Sequence, residues 1–420
     1  MPMPVKSLPV VQNWDCHGCA DCCKTYDVPV TEAERARIEA QNWAADAEFQ
    51  AAHPGVAPVV ADDRGGGHRL QHSADGTCVF LGPEHKCRIH AKFGGAAKPR
   101  ACRIYPFALV PAGDHWRVGI RYACPSAADN RGRPLSAHAA DVTEYAALLA
   151  GDAGVPTVPP PLAPGQVVSW PDLLRFVKAF DDFLAEPGIT IEHRLRRVLA
   201  LASQCKHARF DTINGARLTE FLTVMSAAVA DEVPARPDDL PRPGWVGRSI
   251  FRQTAAVYAR KDTGRFAGVA RQGRLTRIRA AWQFAVGMGP IPRLHALIPE
   301  TTFEAADRPT GPLSPEADAL LTRYFRVKIE SLQFCGAPNF GRSFWDGLES
   351  LALTFPVILW LGRVLTTDAR PRDDAIRLAL QIVDDSFGYN KLLGAGRQLW
   401  AVTALAERDE LPKLVAWYAR

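Results

Sequence analysis

The stretch Cys16-His17-Gly18-Cys19-Ala20-Asp21-Cys22-Cys23 places four of the chain's ten cysteines within eight residues. Two-residue spacers let successive thiolates turn inward around one centre, as in loops that bind zinc or iron–sulfur clusters. Neighbouring side chains diverge, so Cys22 and Cys23 are expected to address different metal atoms or opposite sides of one cluster. Cys78, Cys87, Cys102 and Cys124 follow downstream. Eight thiols suffice for two structural zinc ions, for one [4Fe–4S] cluster plus a second four-thiolate site, or for one cluster with thiols to spare. Cys16, Cys19 and Cys22 match the first three ligands of the bacterial ferredoxin run, and Pro125 follows Cys124, which favours iron. Tyr26 stands where the fourth ferredoxin cysteine would be, and the spacing also permits zinc.

The remaining composition is that of an ordinary globular protein. Of 420 residues, 47% are hydrophobic and 23% charged, which excludes a mostly disordered chain. Lys+Arg is 50 and Asp+Glu 45, so a net charge of +5 does not mark a nucleic-acid binder. The N-terminus has no apolar run of signal-peptide length. The most apolar stretch, Leu351 to Leu361, is shorter than the roughly 20 residues a spanning helix needs and is interrupted by Pro356. Neither a membrane span nor a location other than the cytoplasm is expected. In a reducing cytosol, clustered thiols read as metal ligands or catalytic groups before disulfides.

Three regions separate along the chain. Residues 1–150 hold the cysteine cluster and short strand signals. Thr31 and Glu34 form a capping box ahead of a helix from about Glu32 to Trp43. Cys78 to Leu81 reads as a strand. Phe107–Val110 and Trp116–Tyr122 read as a hairpin around Pro111-Ala112-Gly113-Asp114, with Trp116, Val118, Ile120 and Tyr122 alternating at period two. Residues 151–171 contain six prolines and read as an extended linker. Residues 172–420 read as mainly helical, near 172–185, 191–204, 216–231, 248–260, 271–287, 316–333, 343–365, 372–386 and 397–407. Leu173, Leu174, Val177, Phe180 and Leu184 form one apolar stripe. The fold class is α+β: a small metal-stabilised cysteine-cluster domain with short antiparallel strands, then a mainly α-helical domain.

Other motifs carry less chemistry. Gly65-Gly66-Gly67 neither follows a strand nor opens a helix, so it fails as a dinucleotide or phosphate loop. Arg103 and Phe107 read as structural, one paired with a carboxylate and one packed. His17, His85 and His90 read as solvated or hydrogen-bonded. Cys205 and Cys335 read as core fillers. Residues 248–279 hold nine Lys or Arg against Asp262 alone, a pattern suited to an acidic partner, to phosphates or to a solvated helix pair. Arg88, Arg100 and Arg103 are candidate counter-charges to thiolates.

The four cysteine-bearing blocks together resemble a known family. CxxCxxCC, Cys78-Val79-Phe80-Leu81, Cys87-Arg88-Ile89-His90 and Lys98-Pro99-Arg100-Ala101-Cys102-Arg103-Ile104-Tyr105-Pro106-Phe107 are similar, in order, to the CxxCxxCC family of zinc- or iron-chelating proteins. Lys98-Pro99 stands where that family often has Arg-Pro. The resemblance implies that Cys16, Cys19, Cys22, Cys23, Cys78, Cys87, Cys102 and Cys124 are metal ligands. A cysteine head with a helical tail is also similar in order to the flagellin lysine-N-methylases, with Tyr324 to Leu393 resembling their tail. That likeness implies a [4Fe–4S] protein transferring methyl groups from S-adenosylmethionine to lysines of a protein such as flagellin, and assigns no catalytic residue. The alternative is a non-catalytic zinc-binding structural or interaction module.

Overall fold

The computed structural model describes residues 3–62, 66–150, 158–261 and 273–420. Gly65, residues 151–157 of the proline-rich stretch, and Asp262, Arg265 and Arg271 of the basic stretch lie outside them. The chain is α+β, with small sheets confined to the N-terminal region and helices dominating the rest.

The head contains its own small core of Val30, Ile38, Trp43, Phe49, Leu70, Cys78, Val79, Phe80 and Ile89. Three short strands, Pro29–Val30, His68–Leu70 and Val59–Ala61, pair antiparallel along one side. The helix Glu32–Ala40 starts at the expected capping box: Thr31 Oγ1 accepts from Glu34 N–H, and Glu34 Oε2 accepts from Thr31 N–H at 2.8 Å. It stops before Trp43. Asn42 turns left-handed (φ 52°), and Trp43 then swings in to meet Phe80 at 5.0 Å. Cys78 to Leu81 is not a strand. It is a turn between two isolated bridges, His72 with Cys78 and Leu81 with Cys87. Its apolar residues, Val79 and Phe80, are consecutive and both buried, a pattern that a tight turn plugging a small core satisfies as well as a strand.

The expected hairpin is present as Phe107–Ala112 and His115–Ile120, paired antiparallel. Pro111 and Ala112 belong to the first strand, leaving Gly113 (φ 69°) and Asp114 to turn the chain. Val5–Ser7 adds a parallel strand on the outer edge. Trp116, Val118 and Ile120 are buried as the alternation requires, but Gly119 on the opposite face is buried too. A Cβ there would collide with Gln333 and Ser331 of the helical part. The hairpin is therefore covered on both faces.

Packing continues through the proline-rich stretch. Phe107, Val118, Ile120, Tyr122 and Cys124 share one continuous core with the helical region. Leu162 is fully buried, and the Pro161 and Leu162 carbonyls accept from Phe344 and Trp345 N–H at 2.8 and 3.2 Å. The described part of this stretch holds five of the six prolines; it turns at Pro164-Gly165 between the bridged residues Ala163 and Gln166, enters a helix at Trp170, and is docked on the helical body.

The helical region follows the apolar periodicity. Trp170–Ala185, Ile191–Lys206, Gly215–Glu232, Trp245–Ala259, Arg274–Val286, Pro315–Glu330, Arg372–Ser386, Gly396–Glu407 and Glu410–Tyr418 surround the central helix Phe344–Leu365. Ser169, Thr190, Ser314 and Ser343 each accept from a first-turn N–H at their helix N-termini. The central helix runs through Pro356 without a break. A proline in a helix interior costs about 3 kcal/mol, and burial of nearly every side chain along the helix offsets it. This helix is long and apolar enough to cross a membrane, yet 94% of its apolar window is buried inside the fold.

Candidate metal centre

The CxxCxxCC loop folds around two left-handed residues, Gly18 (φ 66°) and Ala20 (φ 62°), which bracket Cys19. The short helix Asp21–Thr25 then carries Cys22 and Cys23. Their sulfurs stand 4.0 Å apart. Two thiolates on one tetrahedral zinc, each about 2.3 Å from the metal, would be about 3.8 Å apart. The divergence expected of adjacent side chains is therefore not seen at this pair.

The other thiols arrive from three further elements. Cys78 N–H donates to Cys23 O at 2.9 Å, which pins the downstream turn to the motif. Cys87 stands at the start of the helix Arg88–Phe93, and Cys102 lies in the helix Arg100–Ile104. Cys78 belongs to the small core, and Cys23, Cys87 and Cys102 pack against it. Cys78 lies within electrostatic reach of Cys102, Cys87 and Cys22, and Cys102 within reach of Cys87 and Cys22. Burial pushes the Cys78 and Cys102 thiols up to about 12. Cys22 is raised as well, first by its hydrogen bond with Cys23 and then by burial.

Cys16, Cys19 and Cys124 form a second neighbourhood. Cys19 feels Cys22 and Cys16, and Cys124 feels Cys19. Cys16 and Cys19 are exposed, whereas Cys124 is buried and pushed up to about 11, chiefly by burial. Cys22 links the two neighbourhoods.

These thiols are gathered but not closed. Among the described residues, no three Cys, His, Asp or Glu side chains stand close enough to share one ion. The donor chemistry nevertheless fits a thiophilic metal. Thiols bind zinc or iron as thiolates, so a bound cation displaces their protons. All ten cysteines are free.

The expected counter-charges are distributed differently. Arg103 pairs with Glu144, and Arg88 lies 3.8 Å from Glu48. Arg100 N–H donates to Glu34 Oε1 at 2.6 Å. The cation that favours thiolate at Cys22 and Cys102 is Lys98. Its sequence signal was its place in the Lys98-Pro99 step ahead of Cys102. His17 Nδ1 is 2.8 Å from Ser126 Oγ, so the ring is hydrogen-bonded beside the loop. His85 and His90 are exposed. Phe107 packs edge-on against Trp14 at 5.1 Å. Cys205 and Cys335 are buried in the helical core, and burial pushes Cys205 up to about 12.

The motif helix also borders a cleft between head and tail. Asp21, Thr25 and Tyr26 line one wall, and Tyr258, His295 and Asp385 line the other. Beside it, Arg121 stacks on Tyr389 with 3.7 Å from guanidinium carbon to ring centroid.

Comparison with known proteins agrees with the donor chemistry. Residues 15–125 match the CxxCxxCC family model, described as "Putative zinc- or iron-chelating domain". The match supports a cysteine-cluster module over this segment. No curated protein matches the chain, and no solved structure does.

Proposed function

We propose that this protein is a metal-binding protein whose eight N-terminal cysteines supply the ligands of an iron–sulfur cluster, and the thiols beyond its four a second site or none, on the face of a helical body. The observation that carries the reading is the gathering of Cys22, Cys23, Cys78, Cys87 and Cys102 at one small core, with Cys16, Cys19 and Cys124 beside it. Iron is favoured by the Cys16, Cys19, Cys22 spacing and by Pro125 after Cys124. Thiolate ligands would come from these residues, and a metal would compensate the charge that burial penalises at Cys78 and Cys102. Free thiols throughout the chain suit a reducing cytosol as the setting.

A zinc-stapled, non-catalytic module is the second reading. The 4.0 Å separation of the Cys22 and Cys23 sulfurs favours it, since two thiolates on one zinc span nearly that distance. Methyl transfer from S-adenosylmethionine to lysines of a partner protein such as flagellin rests on the likeness of the tail. The cleft beside the motif helix is the place such chemistry would use.

The deciding experiment is anaerobic purification followed by metal analysis and a visible spectrum. About four irons per chain with a brown colour supports the cluster. About one or two zinc ions and no colour supports the stapled module instead. Only the first result makes a methyl-transfer assay on flagellin worth running.

A further inference from the structure

The basic stretch read from the sequence divides into cations with different surroundings. Arg252 is buried, and its guanidinium donates to the Phe284, Ala285 and Val286 carbonyls at 3.1–3.3 Å, closing the end of the helix Arg274–Val286. Lys261 is ion-paired with Asp385. Arg274, Arg277 and Arg279 are exposed and form no ion pair among the described residues.

The same helix carries an apolar face that points away from the fold. Ala280 and Phe284 are buried against the body. Leu275, Ile278 and Trp282 are 82%, 57% and 65% exposed, and Met288 just beyond is 67% exposed. Positions 275, 278 and 282 fall on one side of a helix, at the i, i+3, i+7 spacing. At 100° per residue, Arg279 flanks that side on one edge and Arg274 on the other, with Arg277 further round. No acidic residue occurs from Arg274 to Val286. Residues 273–279 are exposed all round, so the first two turns form a ridge and not a groove.

We propose that the helix Arg274–Val286 docks this protein on an anionic lipid surface. A tryptophan, two aliphatic side chains and flanking guanidiniums are the composition that lies in the plane of a bilayer interface, apolar face inward and cations toward the headgroups. Charge complementarity selects anionic lipid over neutral lipid. A nucleic-acid backbone would use the arginines but leave Leu275, Ile278 and Trp282 in water. Closing of the helix end by Arg252 presents the ridge ready-formed.

The test is flotation of the purified full chain with phosphatidylcholine vesicles, with and without phosphatidylserine, at low and high salt. Binding to the serine-containing vesicles alone, weakened by salt, is expected. The combined variant Arg274→Gln, Arg277→Gln, Arg279→Gln is expected to partition about a hundredfold more weakly. The combined variant Leu275→Ser, Ile278→Ser, Trp282→Ser is expected to lose flotation. These residues are exposed, and an unchanged circular dichroism spectrum checks that each variant folds. Failure of the wild type to float with anionic vesicles at low salt overturns the proposal, as does flotation that survives both variants. Capture of an acidic protein without vesicle binding also overturns it. Metal content is expected to be the same in all variants, so this result stands apart from the reading of the head.

Discussion

The backbone N–H of Ala123 donates to Asp384 Oδ2 at 3.0 Å, tying the residue before Cys124 to a helix more than 250 residues away in sequence. The other oxygen of Asp384 lies 2.5 Å from Lys328 Nζ, and both side chains are at most 1% exposed. Lys328 donates in turn to Gln333 at 2.9 Å, and Gln333 donates to Ser331 beneath Gly119 of the hairpin. One buried polar chain thus runs from the turn before Cys124 through the helical body to the side chains packed beneath the hairpin. Burial holds the Lys328 ammonium below its usual range, and Asp384 opposes that shift.

Removing one member of that pair strands the other. Asp384→Ala leaves Lys328 charged and uncompensated, and is expected to cost about 3–5 kcal/mol in denaturant unfolding. The double change Lys328→Met, Asp384→Leu is expected to recover part of that loss, because no buried charge remains although the Ala123 N–H loses its acceptor. Equal instability of the single and double variants would refute the pairing as the cause.

Gly119 tests the contact between head and body directly. Gly119→Ala puts a methyl group into Gln333 and Ser331, and is expected to cost about 1–3 kcal/mol by overpacking. Gly55→Ala is no control because Gly55 has positive φ, but Gly273 meets nothing nearby and serves as one. A thermal midpoint for Gly119→Ala equal to that of Gly273→Ala would show that the hairpin does not bear on the body.

His295 sets an acid limit. Burial, with Lys261 nearby, pulls its imidazole down to about 4 from an ordinary 6.5. Between those values the unfolded chain takes up a proton that the folded chain refuses. The contribution is therefore complete above pH 6.5 and is lost as pH falls toward 4. The full effect is about 3 kcal/mol. Between pH 7.5 and 4.5 the wild type should lose about 2–3 kcal/mol more than His295→Gln. Parallel losses in the two proteins would remove His295 as the source.

The capping box at Thr31 and Glu34 is worth less. Thr31→Ala is expected to cost about 1 kcal/mol, read as a lowered unfolding midpoint. No change would mean that the helix Glu32–Ala40 is held by the small core alone.

Much of the helical body was legible in the sequence because its apolar periodicity and its caps agree. Trp170–Ala185 and Phe344–Leu365 fall within two residues of expectation. Glu410–Tyr418 was missed: Asp409 starts it in a left-handed turn with no side-chain cap, so nothing local announces it. Within the head, Cys78 to Leu81 misled because consecutive apolar residues fit a strand or a core-plugging turn equally. Arg88 and Arg103 pair with Glu48 and Glu144, because charge counts do not show which carboxylate lies near in space, and Lys98 is the cation that favours thiolate at Cys22 and Cys102. The cysteine spacing announced a metal site. The association of Cys23 with Cys78, and of Cys19 with Cys124, depends on contacts across tens of residues that spacing does not encode.

The most direct test of the metal-binding reading is the metal content of anaerobically purified wild type beside Cys78→Ser, Cys102→Ser and the control Cys205→Ser, Cys335→Ser. Stoichiometric iron or zinc is expected in the wild type and the control, with loss of metal from the Cys78, Cys102 double variant. Wild type without stoichiometric metal, or a Cys78, Cys102 variant that keeps all of it, would rule out these thiols as metal ligands.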